Sequence, residues 1–125
     1  VKTGRILALG SENWVSKDRI ICGLSDASAR IPRHLKITFV RNSFANGAAK
    51  IVGDVANDWV RAWPGQYNDP ILLPPGSDIT DNIDLCVTFY DGRLSALAEH
   101  EVGLVKAAGI EIMDYSTTDT TEEAA

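Results

Sequence analysis

Short apolar runs alternate with segments of helical period along this chain, and that alternation restricts the fold more than any other feature. Arg5–Leu9, Leu35–Val40, Ile83–Tyr90 and Ile110–Met113 are runs of strand length rich in Ile, Leu, Val and Phe. Runs of this kind bounded by glycine or polar turns suit strands buried on both faces. Between them, Ile20, Ile21, Leu24 and Ala27 fall on one face of a helix over Lys17–Ala29, with Ser16 as its cap and Ile31-Pro32 as its stop. Ala48, Ile51, Val52, Val55, Ala56 and Trp59 mark a second helix over Gly47–Arg61, and Gly53 inside it costs about 1 kcal/mol relative to Ala. Leu94, Leu97, Ala98, Val102 and Val105 mark a third, ending near Ala108 with Gly109 as its stop. Ile71–Leu73 adds a short strand before Pro74-Pro75-Gly76.

The resulting order, β-α-β-α-β-β-α-β, predicts an α/β fold. Its expected form is three-layer and Rossmann-like, a mostly parallel sheet of about five strands with helices on both faces. The 125 residues suit one domain, expected over residues 1–115, and residues 116–125 read as an acidic, disordered tail. Neither cysteine, Cys22 nor Cys86, suggests a disulfide; both lie in apolar segments and are expected as buried free thiols. No apolar run is long enough to span a bilayer, and the opening residues do not read as a signal peptide, so a cytoplasmic protein is expected. The net charge of -5 argues against a general nucleic-acid binder, which needs basic residues to displace counterions. It leaves room for a small anion held at a helix N-terminus.

In sheets of this type ligands bind beyond the carboxyl ends of the strands, where the strand order reverses. The rule selects three loops, provided that the first, second and fourth strands lie side by side. In the first, Gly10 permits close backbone approach, Ser11 and Asn13 offer hydrogen bonds, and Trp14 is either a stacking platform or a plug over the sheet edge. In the second, Asn42, Ser43, Asn46 and Gly47 lead into a helix N-terminus, with Asn46 either facing a ligand or capping the helix. In the third, Asp91, Gly92, Arg93 and Ser95 follow the fourth strand, and Arg93 is either an anion contact or a solvated arginine. Catalytic sets are missing. His34 precedes a strand on the opposite side, and His100 stands between Glu99 and Glu101 on a helix, so neither activates a serine. No metal-ligand spacing occurs, and there is no GxGxxG or Walker A pattern.

These loops resemble the SLOG superfamily of small bacterial and phage Rossmann-like proteins, specifically its YspA-like branch and more distantly DprA and the LOG phosphoribohydrolases. The G-[ST]-x-x-[WY] turn is similar to Gly10-Ser11-Glu12-Asn13-Trp14, the G-A-D helix start to Gly47-Ala48-Ala49, and the closing A-A-G-I segment to Ala107-Ala108-Gly109-Ile110. Ala49 replaces the acid, Asn42 an early glycine, and the P-G-G-x-G-T-x-x-E signature of the LOG enzymes is absent. The resemblance implies a nucleotide or NAD-derived ligand bound without strong catalysis. Alternatives are an interaction protein that binds a host or partner protein in the host cytoplasm, for which Trp14, Trp63 and Tyr67 are candidate exposed aromatics, and a nucleotide hydrolase. A homodimer is expected on general grounds.

Overall fold

The computed structural model describes residues 3–11, 14, 16–42, 47–74, 77–91 and 96–116. Among these residues, five strands and three helices follow one another as β1 Arg5–Gly10, α1 Lys17–Ala29, β2 Thr38–Arg41, α2 Ala48–Ala62, β3 Ile71–Leu72, β4 Leu85–Phe89, α3 Ala96–Ala107 and β5 Glu111–Asp114. The sheet has the order β3-β2-β1-β4-β5, and every neighbouring pair is parallel. The expected α/β fold is therefore present, with a sheet that is wholly rather than mostly parallel among the described residues.

Side-chain alternation along the strands divides the core in two. Ile6, Ala8, Phe39, Leu85, Val87 and Phe89 point to the face covered by Ile20, Leu24 and Ala27 of α1 and by Val52, Val55 and Ala56 of α2. Leu7, Leu9, Val40 and Cys86 point the other way, under Ala98 and Val105 of α3 and under Leu73, Ile79 and Ile83. Helices thus lie on both faces. Full burial of each large apolar side chain contributes about 1.5–3 kcal/mol. The central strands β1 and β4, buried throughout apart from half-buried Arg5, carry much of this gain.

Local chemistry explains the helix bounds. Ser16 Oγ accepts from the Arg19 amide at 3.3 Å, satisfying one of the unpaired donors of the first turn of α1. At the other end the Arg30 amide donates to Ala27 O at 3.0 Å, and Pro32 prevents continuation. Gly53, costly inside α2, makes room for the Arg41 side chain. A Cβ there would stand 3.2 Å from Arg41 Cζ, and Arg41 Nη1 donates to Ala49 O at 2.7 Å.

The second strand begins later than the apolar run Leu35–Val40 suggests. The Leu35 amide closes a turn onto Pro32 O at 3.0 Å, and Ile37 makes only an isolated bridge to Tyr67, so continuous pairing starts at Thr38. The fourth strand loses Ile83 and Asp84 from its predicted start. The Asp84 carboxylate instead accepts from the Thr3 and Gly4 amides, each at 2.8 Å, and fastens the opening of β1. Cys86 is buried as expected, but Cys22 is exposed: it faces away from the stripe formed by Ile20, Leu24 and Ala27. The tail beyond Ser116 lies outside the described residues.

Candidate functional site

The chain builds β1, then β2 and β3 on one side of it, and then places β4 on the other side. The strand order therefore reverses between β1 and β4, and the carboxyl ends of these two strands define the crevice position of an open α/β sheet. Gly10 pairs with Phe89 at this point, and the Ser11 amide extends the ladder by donating to Phe89 O at 3.0 Å.

Ser11 is the junction of the site. Its carbonyl accepts from the Ala48 amide at 3.0 Å and from the Trp14 amide at 3.3 Å, tying β1 to the start of α2. Its hydroxyl accepts from the Asp91 amide at 2.8 Å, tying β1 to the turn after β4. Beside it, the Tyr90 amide donates to Ser116 Oγ at 2.8 Å, which draws the end of β5 to the same edge. These bonds bring Ser11, Gly47 and Asp91 to one edge, with Gly10 beneath them. Asn42 is buried at the end of β2, whose Arg41 pairs with Ala8 of β1. Asn13, Ser43, Asn46, Gly92, Arg93 and Ser95 lie outside the described residues.

Gly10 leaves no room for a ligand at its own Cα. A Cβ there would meet the Ala48 methyl at 2.3 Å and Phe89 O at 2.5 Å, so this glycine serves close packing of β1, β4 and α2. Trp14 also departs from the expectation of an exposed aromatic. It is 3% exposed, packs edge-on to Phe89 with ring centroids 5.8 Å apart, and donates its indole N–H to Ser16 O at 2.8 Å. With its ring in the core it is a plug for the sheet edge. The first residue of α2 follows Gly47 at φ 74°, and among the described residues no side-chain hydrogen bond caps this helix, in contrast to α1. Gly47, rather than Asn46, holds the cap position. The Ala48 amide is used by Ser11, while the remaining amides of the first turn carry the positive end of the helix dipole toward the carboxyl edge.

Beneath the rim on the α3 face lie Cys86, Tyr90 and Glu101. Burial, with the Glu101 charge adding to it, pushes the Cys86 thiol up to about 12, so it is not a nucleophile at neutral pH. Burial and then Glu101 also raise the Tyr90 phenol, whose buried oxygen has no hydrogen-bond partner among the described residues. Burial lifts the Glu101 carboxyl above its ordinary range, opposed by neighbouring His100. Among the described residues there is no cluster able to hold a metal ion, and no helix is long and apolar enough to cross a membrane.

Outside this rim a hollow of about 720 Å³ lies at the amino edge of the sheet. It runs between the end of α1, residues 31–37 and residues 65–67. Sequence reasoning placed His34 on that side but assigned nothing to it. The missed signal was the run Arg30, Arg33, His34 and Lys36 without an intervening acid. Near this hollow Trp63 is 53% exposed, as expected, whereas Tyr67 is 7% exposed and stacked on Phe39 at 5.8 Å, which removes it from the exposed aromatics. Comparison with protein-family models, with curated proteins and with solved structures finds no match to this chain, so its function has to be read from these two edges of its sheet.

Proposed function

We propose that the chain binds a nucleotide or nucleotide-derived, phosphate-bearing ligand at the carboxyl edge of its sheet and does no strong catalysis there. The observation that carries this reading is the reversal of strand order between β1 and β4, with the uncapped start of α2 beside it. Such a terminus attracts phosphate through its unpaired amides and its dipole, with no need for net positive charge. The hydrogen bonds from Ala48 and Asp91 to Ser11 hold the two sides of the rim in register. The Cys86 thiol and the Tyr90 phenol, which burial keeps protonated, offer this rim no nucleophile. The SLOG-like order of the loop residues agrees with the same ligand class.

Titration calorimetry with ATP, ADP, AMP and NAD, paired with amide chemical-shift mapping, tests the reading. Binding with shifts at Ser11, Ala49, Lys50 and Asp91 is the expected result. A folded sample that gives neither heat nor shifts at millimolar ligand refutes it.

A second reading, an interaction protein that engages another protein, is favoured by one observation. Leu97 and Leu104 stand seven positions apart on α3, so they lie on one side of it, and they are 52% and 43% exposed. Capture of one stoichiometric partner, lost in Leu97→Ser/Leu104→Ser, is its expected signature. Retention of that partner by the variant removes the leucines from the interface.

A further inference from the structure

We propose a second anion site, at the amino edge of the sheet, that takes a small phosphate-bearing ligand independently of the carboxyl rim. The hollow there is of a size that holds small molecules, about 720 Å³. Arg33, Lys36 and the imidazole of His34 line it, and among the described residues no carboxylate does. In a chain of net charge -5 this is a local reversal of sign.

The cations of the hollow are also uncommitted. Elsewhere Arg30 pairs with Glu111, Lys50 with Asp54 and Arg61 with Asp58. Among the described residues neither Arg33, Lys36 nor His34 makes an ion pair, and all three are exposed. The carboxyl end of α1 opens here and contributes roughly half a negative charge. Two permanent positive charges outweigh that, so the net field favours an anion.

The walls are fixed, which lowers the ordering cost of binding. The Ile37 amide donates to Gln66 O at 2.9 Å and the Asn68 amide to Ile37 O at 2.9 Å, locking residues 65–67 against the segment that carries Lys36 into β2. Tyr67 closes one side, and its hydroxyl donates to Ser28 Oγ at 3.3 Å, joining this wall to α1. Gly65 has nothing within 4 Å of a hypothetical Cβ, so the hollow is open on its flank. A phosphate set between Arg33 and Lys36 gains a planar donor fork from one and a mobile point charge from the other.

Pyrophosphate is the probe, titrated into the full chain at low ionic strength, with ATP and hexaglutamate as parallel arms. Arg33→Gln/Lys36→Gln removes the permanent charges of the site, and Lys17→Gln/Lys106→Gln removes the same charge from exposed positions outside it. Each exposed ion pair is worth about 1.4–5-fold, so the first variant, which loses two, is expected to bind roughly 5–10-fold more weakly, while the second stays within about twofold. Amide shifts are expected at residues 33–37 and 65–67. Tighter binding of ATP than pyrophosphate assigns the ligand as a nucleotide, and equal binding as the phosphate group alone; either supports the site. It is overturned by no pyrophosphate binding by the folded chain, by equal weakening in both variants, or by hexaglutamate binding where pyrophosphate does not. Shifts confined to Ser11, Ala49 and Asp91 also overturn it, and would support the carboxyl-edge reading instead.

Discussion

Replacing Gly10 by alanine tests the packing on which the carboxyl rim is built. A new Cβ would lie 2.3 Å from the Ala48 methyl and 2.5 Å from Phe89 O. Carbon atoms pack at about 3.5–4.0 Å, so more than 1 Å of relief is needed. Neither neighbour is the end of a flexible side chain, so β1, β4 or α2 has to move. Overpacking of this kind costs about 1–3 kcal/mol. The movement also strains the Ser11–Phe89 and Ala48–Ser11 hydrogen bonds, each worth about 1 kcal/mol. Alanine returns about 0.4–1 kcal/mol by restricting the unfolded chain. The balance is a loss of roughly 2–4 kcal/mol, read as a lower urea midpoint at unchanged slope and a melting temperature lower by roughly 10 °C. Gly10→Ala/Ala48→Gly relieves the nearer clash but not the one with Phe89 O, and is expected to recover only part of the loss. A Gly10→Ala protein within about 0.5 kcal/mol of the parent refutes the reasoning. The glycine would then be free of packing duty, and close approach of a ligand would again be the reason for it.

Gly103→Ala is the opposite case: nothing lies within 4 Å of the added methyl on exposed α3, so the variant should gain about 0.5–1 kcal/mol of stability in urea denaturation. Thiol titration should count one reactive cysteine, Cys22, in the native protein and both after unfolding, because Cys86 is buried with its thiol pushed up to about 12. For Glu101 the folded-state pKa is raised by burial, so its contribution to stability is present below the ordinary carboxylate range and is lost as pH rises through the raised value. Glu101→Gln should therefore be more stable than the parent at neutral pH and equal to it in acid, checked by melting curves across that range.

The element order was readable because it is written locally. Ser16, the stripe Ile20–Leu24–Ala27 and the break at Pro32 fix α1 without help from distant residues, and its observed bounds match those the spacing predicts. Where a distant segment decides, the reading slips. Leu35 and Lys36 have the composition of a strand, yet β2 starts only at Thr38, whose amide donates to Gly4 O at 2.8 Å. Cys22 sits among apolar neighbours in sequence, but helical geometry turns it outward. Gly53 could be flagged as costly; its reason, the Arg41 side chain, comes from β2 and needs the packed sheet to be seen.

The two edges of the sheet show the same division in the matter of function. At the carboxyl edge the sequence locates the loops, because each follows a strand, but not what fills them. Trp14 after a strand is equally a platform or a plug, and the deciding contact is with Phe89, far along the chain on β4. At the amino edge the walls come from residues 25–37 and 65–67, and neither segment reads as a site alone. The cations there are diluted by a net charge that describes the whole chain. A sum of charges over 125 residues says how a protein repels its copies; it does not say where an anion can sit. That depends on whether cations are already paired, and among the described residues Arg33 and Lys36, unlike Arg30 three residues before the first of them, have no carboxylate partner.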